Sequence, residues 1–270
     1  MPQNFTMNWL HFPPQTREVQ LDEKWAFVGK KEAHCVPDDP RDCLRGDNWD
    51  HTAVDPEHGL MLSVVPGKRT AENCEKLLDE VKQRTGGRTD ILFTSDEHPP
   101  YAGALEKTYA SEVPVPKRPG PGRPPHPKKV MPPDLCYGTV HKTRKNGCVV
   151  QVIRALLFGT AALLDMWLSR SSVSRTINTS FVERNNGTDR GQNARKIRKS
   201  YRFSKDWELH NAATYFIMYS YNFCWPVRTL DVPAAEGARL KRTPAMAAGL
   251  SDHVWSTREW ALFPAMNSVT

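Results

Sequence analysis

Apolar and polar residues alternate along Glu18–Val28 (EVQLDEKWAFV), with Val19, Leu21, Trp25 and Phe27 on one side. A period of two predicts a half-buried strand. Asp22 sits inside it. A carboxylate there is costly unless it lies at an exposed edge, is paired, or binds a metal. Trp49–Val54 and Leu60–Val65 are two more short apolar runs, separated by the turn-forming Asp55-Pro56-Glu57-His58-Gly59, and predict an antiparallel hairpin. The period then changes. Ala71, Cys74, Leu77, Leu78 and Val81 follow helical spacing behind Thr70, a plausible N-cap, and Gly86-Gly87 ends the run. Asp90–Thr94 (DILFT) predicts a short buried strand that runs into Ser95-Asp96-Glu97, with a helical piece around Ala102–Tyr109.

The pattern then breaks. Pro114–Pro133 holds nine prolines and five bases in twenty residues, which excludes a helix or an inner strand. It reads as a solvated polyproline connector or as a segment that tracks a phosphate backbone. Leu135–Val140 and Val149–Ile153 predict strands joined at Lys145-Asn146-Gly147. The apolar run 155–168 predicts a core helix, broken near Gly159-Thr160. Ser169–Ser174 is a loop leading to a helix that starts at Thr179-Ser180 and continues as a basic rod through Arg202. Trp207–Asn222 is an aromatic amphipathic helix, and Trp255–Trp260 a short one. The expected layout is a loose arm at 1–17, a main domain at 18–230 with an insertion near 110–150, and a tail at 231–270.

Charge sharpens this picture. The 270-residue chain carries a net +7, but the distribution is uneven. Arg184, Arg190, Arg195, Lys196, Arg198, Lys199 and Arg202 stand against the single acid Asp189, and the proline-rich segment adds five uncompensated bases, so the remainder is net acidic. Basicity gathered into two stretches favours a nucleic-acid footprint. The six cysteines form no C-x-x-C pair and read as reduced thiols of a cytosolic protein. A zinc site from His34, Cys35 and Cys43 is a minor alternative. The most apolar run, Ala155–Leu164, is too short to span a bilayer, so no membrane association is expected.

Three acids remain as candidates for chemistry. Asp22 lies in the first strand, Asp96 just past the carboxyl end of a strand that follows a helix, where ligand sites collect in open α/β sheets. Glu183 opens a helix. Ser180-Phe181-Val182-Glu183 also fits a capping box, in which the glutamate serves only a backbone N–H. Arg190, seven residues on, falls within about 20° of Glu183 and about 10 Å along the axis. Two acids on neighbouring strands and a third on a helix against them can hold two divalent ions, which activate a nucleophile and stabilise a leaving oxygen in phosphoryl transfer. Hard oxygen ligands suit Mg²⁺ or Mn²⁺.

The blocks LDEKWAFVGKK (21–31), ILFTSDEHPPY (91–101) and TSFVERNNGTDR (179–190) resemble the three acidic motifs of DDE-type insertion-sequence transposases, in the RNase H-like, retroviral-integrase superfamily. YSYNFCWPVRTL (219–230) and RTPAMAAGLSDHVW (242–255) resemble the end of the same catalytic region. The resemblance implies an α/β fold with a mixed five-stranded sheet flanked by helices, and a proline-rich basic insertion between the second Asp and the Glu. It implies Asp22, Asp96 and Glu183 as a triad binding two Mg²⁺ or Mn²⁺ ions. It also implies DNA contacts from Arg184, Arg190, Arg195, Lys196, Arg198 and Lys199, double-stranded DNA as partner (element ends and target), a homo-oligomer on DNA, and a bacterial, nucleoid-associated location. The 87 residues from Asp96 to Glu183 exceed the spacing of compact members, and only about 17 residues precede the first strand, where relatives carry an end-recognition domain. A related nuclease of the same fold, or a non-catalytic DNA-binding remnant, are the competing readings.

Overall fold

A computed structural model describes residues 15–116, 125–197, 199–234 and 237–263. Its centre is a six-stranded mixed sheet in the order β3-β2-β1-β4-β7-β8. The strands are β1 (Glu18–Val28), β2 (Gly46–Asp55), β3 (Leu60–Gly67), β4 (Leu92–Asp96), β7 (Cys136–Lys145) and β8 (Cys148–Phe158). β1 pairs antiparallel with β2 and parallel with β4; β4 pairs parallel with β7, and β7 antiparallel with β8. This is a mixed α/β architecture compatible with an RNase H-like fold. The sheet has six strands where five were expected.

Each face of β1 has its own chemistry. Val19 and Leu21 point to one side, where they join Phe93, Leu77, Leu78 and Tyr101 in the main core under α1 (Ala71–Arg84) and α2 (Pro100–Tyr109). Thr70 caps α1 as the sequence predicts, its side chain accepting from the Asn73 N–H. Gln20, Asp22 and Lys24 point to the other side, which α4 (Ser180–Gln192) covers. The sequence leaves open an exposed edge for these polar residues. β1 is instead a central strand, and its polar face is buried beneath a helix. α5 (Trp207–Cys224) lies on the same side as α4, packing Met218, Tyr219 and Phe223 with Val182, Val64 and Trp260 of α7 (Thr257–Leu262). The Asn222 amide donates to the Met61 carbonyl at 2.8 Å and accepts from its N–H at 2.9 Å, pinning α5 to β3.

Several sequence expectations are corrected here. The apolar run 155–168 is not one core helix: β8 continues to Phe158, Gly159 turns the chain at φ +92°, and α3 (Ala161–Arg170) follows with only Trp167 buried. Gly159 tolerates that turn because a Cβ there would lie 3.1 Å from the Leu135 carbonyl oxygen as well as at positive φ. β7 belongs to the central sheet, although it falls in the span near 110–150 expected as an insertion. The β7–β8 turn follows expectation, with Asn146 and Gly147 both at positive φ (51° and 80°), as a two-residue hairpin loop requires. A small outer pair, β5 (Ser111–Val113) and β6 (Lys128–Val130), stands before and within the proline-rich stretch; residues 117–124 lie outside the described residues. The end of the presumed loose arm is tied down, since Thr16 donates to Asp55 at 2.7 Å and Arg17 pairs with Glu57 at 2.9 Å. No helix among the described residues is long and apolar enough to cross a membrane.

Candidate active site

Side chains alternate across a strand, so every second residue of neighbouring parallel strands shares a face. β1 and β4 pair as Gln20–Thr94 and Leu21–Ser95. One step further, Asp22 and Asp96 stand side by side on the α4 face. β4 and β7 pair as Thr94–Gly138 and Asp96–Val140, which brings Lys142 to that face as well. Gly138 is needed there because a Cβ would come within 2.5 Å of Ile177 Cδ1. The loop before α4 thus lies directly on β7.

The start of α4 is fixed to β1 by a ladder. Gln20 Oε1 accepts from the N–H groups of Phe181 and Val182 at 3.0 and 3.2 Å. Asn186 Nδ2 donates to Asp22 Oδ2 at 2.7 Å. Lys24 forms an ion pair with Asp189. Three alternate residues of the strand therefore meet successive turns of the helix, and Glu183 is carried to the side facing β4 and β7. Thr179, not Ser180, is the N-cap, and Glu183 does not close a capping box. Its Oε1 accepts from Thr179 Oγ1 at 2.8 Å and from the Lys142 ammonium.

Asp96 and Glu183 line a cleft of about 530 Å³ together with Arg69, His98, Lys142 and Arg144. Asp22 sits deeper, at the β1–α4 contact. Burial, reinforced by the Asp96 carboxylate and then by Glu23 and Glu183, pushes Asp22 up to about 7. Burial and the Glu23 charge raise Asp96 too, with Glu183 adding to the effect and the His98 N–H and Arg69 opposing it. The Asp96 carboxylate thus disfavours ionisation of Asp22, and the Glu183 charge adds to the rise at both. Glu23 contributes from the opposite face of β1, where it is paired with Arg69 at 2.8 Å. Sequence reading passed over Glu23, Arg69 and Lys142; only their proximity in the folded sheet marks them. Glu97 also lines the cleft, where it pairs with His141 at 2.7 Å.

Solved structures with a likeness to the chain include the Mos1 transposase paired-end complex with left transposon end, at 18% identity, covering 34% of this chain and 33% of that one with a TM-score of 0.23. The Mos1 strand transfer complex is likewise similar, at 21% identity over 34% of this chain and 32% of the other, again with a TM-score of 0.23. The chain spans about a third of the length of these transposase chains. No protein-family model and no curated protein matches it.

The basic stretch after Glu183 is reorganised relative to expectation. α4 ends at Gln192, and a single 3-10 turn follows at Ala194–Lys196, so there is no continuous basic rod to Arg202. Lys196 does not face solvent. It is 3% exposed and pairs with Asp50, which Lys24 also contacts at 3.1 Å. Asp189, expected as an isolated acid on a basic surface, completes this buried network. Burial opposes ionisation of Asp50, yet Lys196 and Lys24 hold its carboxyl well below the usual range. Burial pushes Lys196 down to about 8 against the pull of Asp50. Of the remaining bases, Arg184 and Lys199 are exposed, Arg190 and Arg195 are half-buried, and Arg198 lies outside the described residues.

Among the described residues, no group of three or more His, Cys, Asp or Glu side chains stands close enough to hold a metal ion as placed. That includes the His34, Cys35 and Cys43 alternative. The chemistry of the acidic site nevertheless fits a hard cation. Its donors are carboxylate oxygens, Asp22 and Asp96 are both raised by burial and neighbouring negative charge, and a divalent ion would relieve that repulsion. Lys142 supplies part of the compensation at Glu183.

Proposed function

We propose that this chain is the catalytic domain of a DDE-type DNA transposase, which cleaves DNA strands and joins 3′-hydroxyl ends to target DNA. One observation carries the reading: Asp22 and Asp96 stand side by side at a cleft that Glu183 also lines, and burial raises both, with the Asp96 charge helping to push Asp22 up to about 7. Structural ion pairs normally lower carboxylate pKa values; a shared rise at a cleft marks a functional site. Asp22, Asp96 and Glu183 would hold one or two Mg²⁺ or Mn²⁺ ions, which when bound supply Lewis-acid stabilisation of an in-line phosphoryl displacement.

The chain's own residues do the rest. Asn186 orients Asp22. The backbone N–H of His98 donates to Asp96 Oδ1 at 3.2 Å and fixes its direction. Arg69, Lys142 and Arg144 give the cleft the positive wall that a phosphodiester requires. Arg184 and Lys199 extend it outward. Assembly on DNA as a homo-oligomer belongs to the same reading.

The test is nicking of supercoiled plasmid in Mg²⁺ or Mn²⁺, wild type beside Asp96→Asn and Glu183→Gln. Metal-dependent nicking by the wild type, reduced at least about 10³-fold in each variant, is expected. Equal nicking by all three would remove these acids from the site. DNA binding without nicking by the wild type would leave the remnant reading, and nicking without joining of pre-cut ends would leave the nuclease.

A further inference from the structure

A second concave surface lies against another side of α4. Glu183 and Arg184 are neighbours on α4 and therefore point about 100° apart. Glu183 faces the cleft. Arg184 faces a groove of about 350 Å³ that it lines with Phe181, Thr188, Tyr221 and Trp225. The Arg184 guanidinium lies 5.6 Å from the centre of the Phe181 ring. Trp225, Pro226 and Arg228 also line a larger hollow of about 830 Å³, whose far wall carries Arg239 and Lys241. The two hollows adjoin at Trp225, Pro226 and Arg228, between the flank of α4 and the β9 (Val232–Pro233) and β10 (Arg239–Leu240) pair.

The lining combines a large ring with cations. Trp225 follows the last turn of α5 and is 52% exposed, although a tryptophan is usually buried. Arg228 and Lys241 are exposed and line the same hollow. Arg239 is committed locally, donating to the Asp231 carbonyl at 2.9 Å. Arg184, Arg228 and Lys241 therefore set the sign of the groove, with Asp231 the acid on its wall. An indole face between cations is the surface on which an unpaired base stacks while the flanking phosphates are neutralised. A base inside a duplex cannot reach such a face without leaving its stack.

We propose that this groove binds an unpaired nucleic-acid strand, with one base stacked on Trp225 and the flanking phosphates held by Arg184, Arg228 and Lys241. The proposal rests on the reading of the chain as acting on DNA, and adds where the strand beyond the cut is held and in what form. The strand leaves the cleft over Phe181 and Arg184 and enters the groove single-stranded.

The experiment is fluorescence anisotropy in EDTA, so that binding is read apart from cleavage. The probes are a labelled oligo-dT of about 12 nucleotides and a blunt duplex of the same length, a span within the site sizes of single-strand grooves. Trp225→Ala is expected to weaken oligo-dT binding about tenfold or more, with Trp225→Phe recovering most of it. Blunt-duplex binding should stay within about twofold, because a paired base cannot reach the indole. The double variant Arg228→Ala/Lys241→Ala should lower the slope of log K against log salt for oligo-dT by about 1.4. It changes only exposed side chains, so it carries the test if Trp225→Ala does not fold. Unchanged oligo-dT affinity in Trp225→Ala, or an unchanged salt slope in the double variant, overturns the proposal. Displacement of oligo-dT by polyglutamate at matched charge overturns it in favour of an acidic peptide. If the wild type nicks DNA while the groove variants bind oligo-dT normally, the groove fails and the transposase reading stands. If the wild type binds no DNA, both fall.

Discussion

Asn186 Nδ2 donates to Asp22 Oδ2 at 2.7 Å, joining a strand and a helix 164 residues apart in the sequence. The bond costs Asn186 little, since α4 is already held by Gln20 one turn earlier. Its effect falls on Asp22, whose second oxygen accepts from the Glu23 N–H at 2.9 Å. The carboxylate is thereby fixed in direction before any substrate arrives.

Asn186→Ala removes that orientation without touching the acid. Groups that orient a metal-binding carboxylate typically contribute about 10–100-fold to affinity or activity. The expected outcome is a rise of that size in the Mg²⁺ concentration for half-maximal nicking, with the thermal midpoint little changed. An unchanged Mg²⁺ dependence would show that Asp22 needs no such support.

The buried network of Lys24, Asp50, Asp189 and Lys196 makes a prediction about stability. Removing one partner from a buried ion pair leaves its mate charged and uncompensated, at a cost of about 3–5 kcal/mol. Lys24→Met should lose about that much in urea denaturation, and Asp189→Asn less, because Lys24 retains Asp50. A double-mutant cycle should then give a coupling free energy well above experimental error. Additive losses would mean that the two charges act independently.

His210 is buried and its Nδ1 lies 2.8 Å from Ser204 Oγ. Burial, with the Lys196 charge beside it, pushes it down to about 4. Its folded value thus lies below the unfolded one, near 6.5. Between the two the folded state binds fewer protons, so stability is full above pH 6.5 and is lost as the pH falls toward 4. The loss is about 3 kcal/mol. Replacing the histidine by asparagine should abolish that part of the acid sensitivity. Parallel pH–stability curves for variant and wild type would assign the acid response to other groups.

The difference between Arg184 and Lys196 gives a comparison within one basic stretch. Arg184 is exposed on α4, whereas Lys196 is sealed against Asp50. Arg184→Ala should lower the salt slope of oligo-dT binding by about 0.7, the loss of one phosphate contact to a single strand, and leave the melting temperature unchanged. Lys196→Met should do the reverse. A reduced salt slope in Lys196→Met with native stability would return that residue to the DNA surface.

Those two residues also show where sequence reading succeeds and where it stops. The β2–β3 hairpin, the Thr70 cap and the Asn146-Gly147 turn are encoded within a few residues, and each forms where its pattern predicts. Asp22 and Asp96 could be singled out because a carboxylate within or just beyond an apolar strand is locally anomalous. What made Lys196 internal is not local: its partner Asp50 is 146 residues away on β2. A buried lysine with a distant aspartate looks, in sequence, like one more base on a charged run. The polar side of β1 misled for the same reason, since nothing near Gln20, Asp22 and Lys24 announces the helix that covers them. At residues 155–168 the apolar run gave no period to separate strand from helix, and Gly159 marked the break without saying what stood on either side.

The ladder between β1 and α4 has a consequence for which changes in chain length the protein can accept. Gln20, Asp22 and Lys24 advance by about 7 Å per rung along a strand, while their partners advance by three to four residues, about 5–6 Å, along a helix. The two scales keep step only over this short overlap. One residue inserted or deleted between Val182 and Asp189 would turn everything beyond it by about 100° and separate Asn186 or Asp189 from its rung. Length variation should therefore be refused within one turn of Asn186, so that a scan of single-residue insertions would trace the β1–α4 contact by the places where the chain cannot be lengthened.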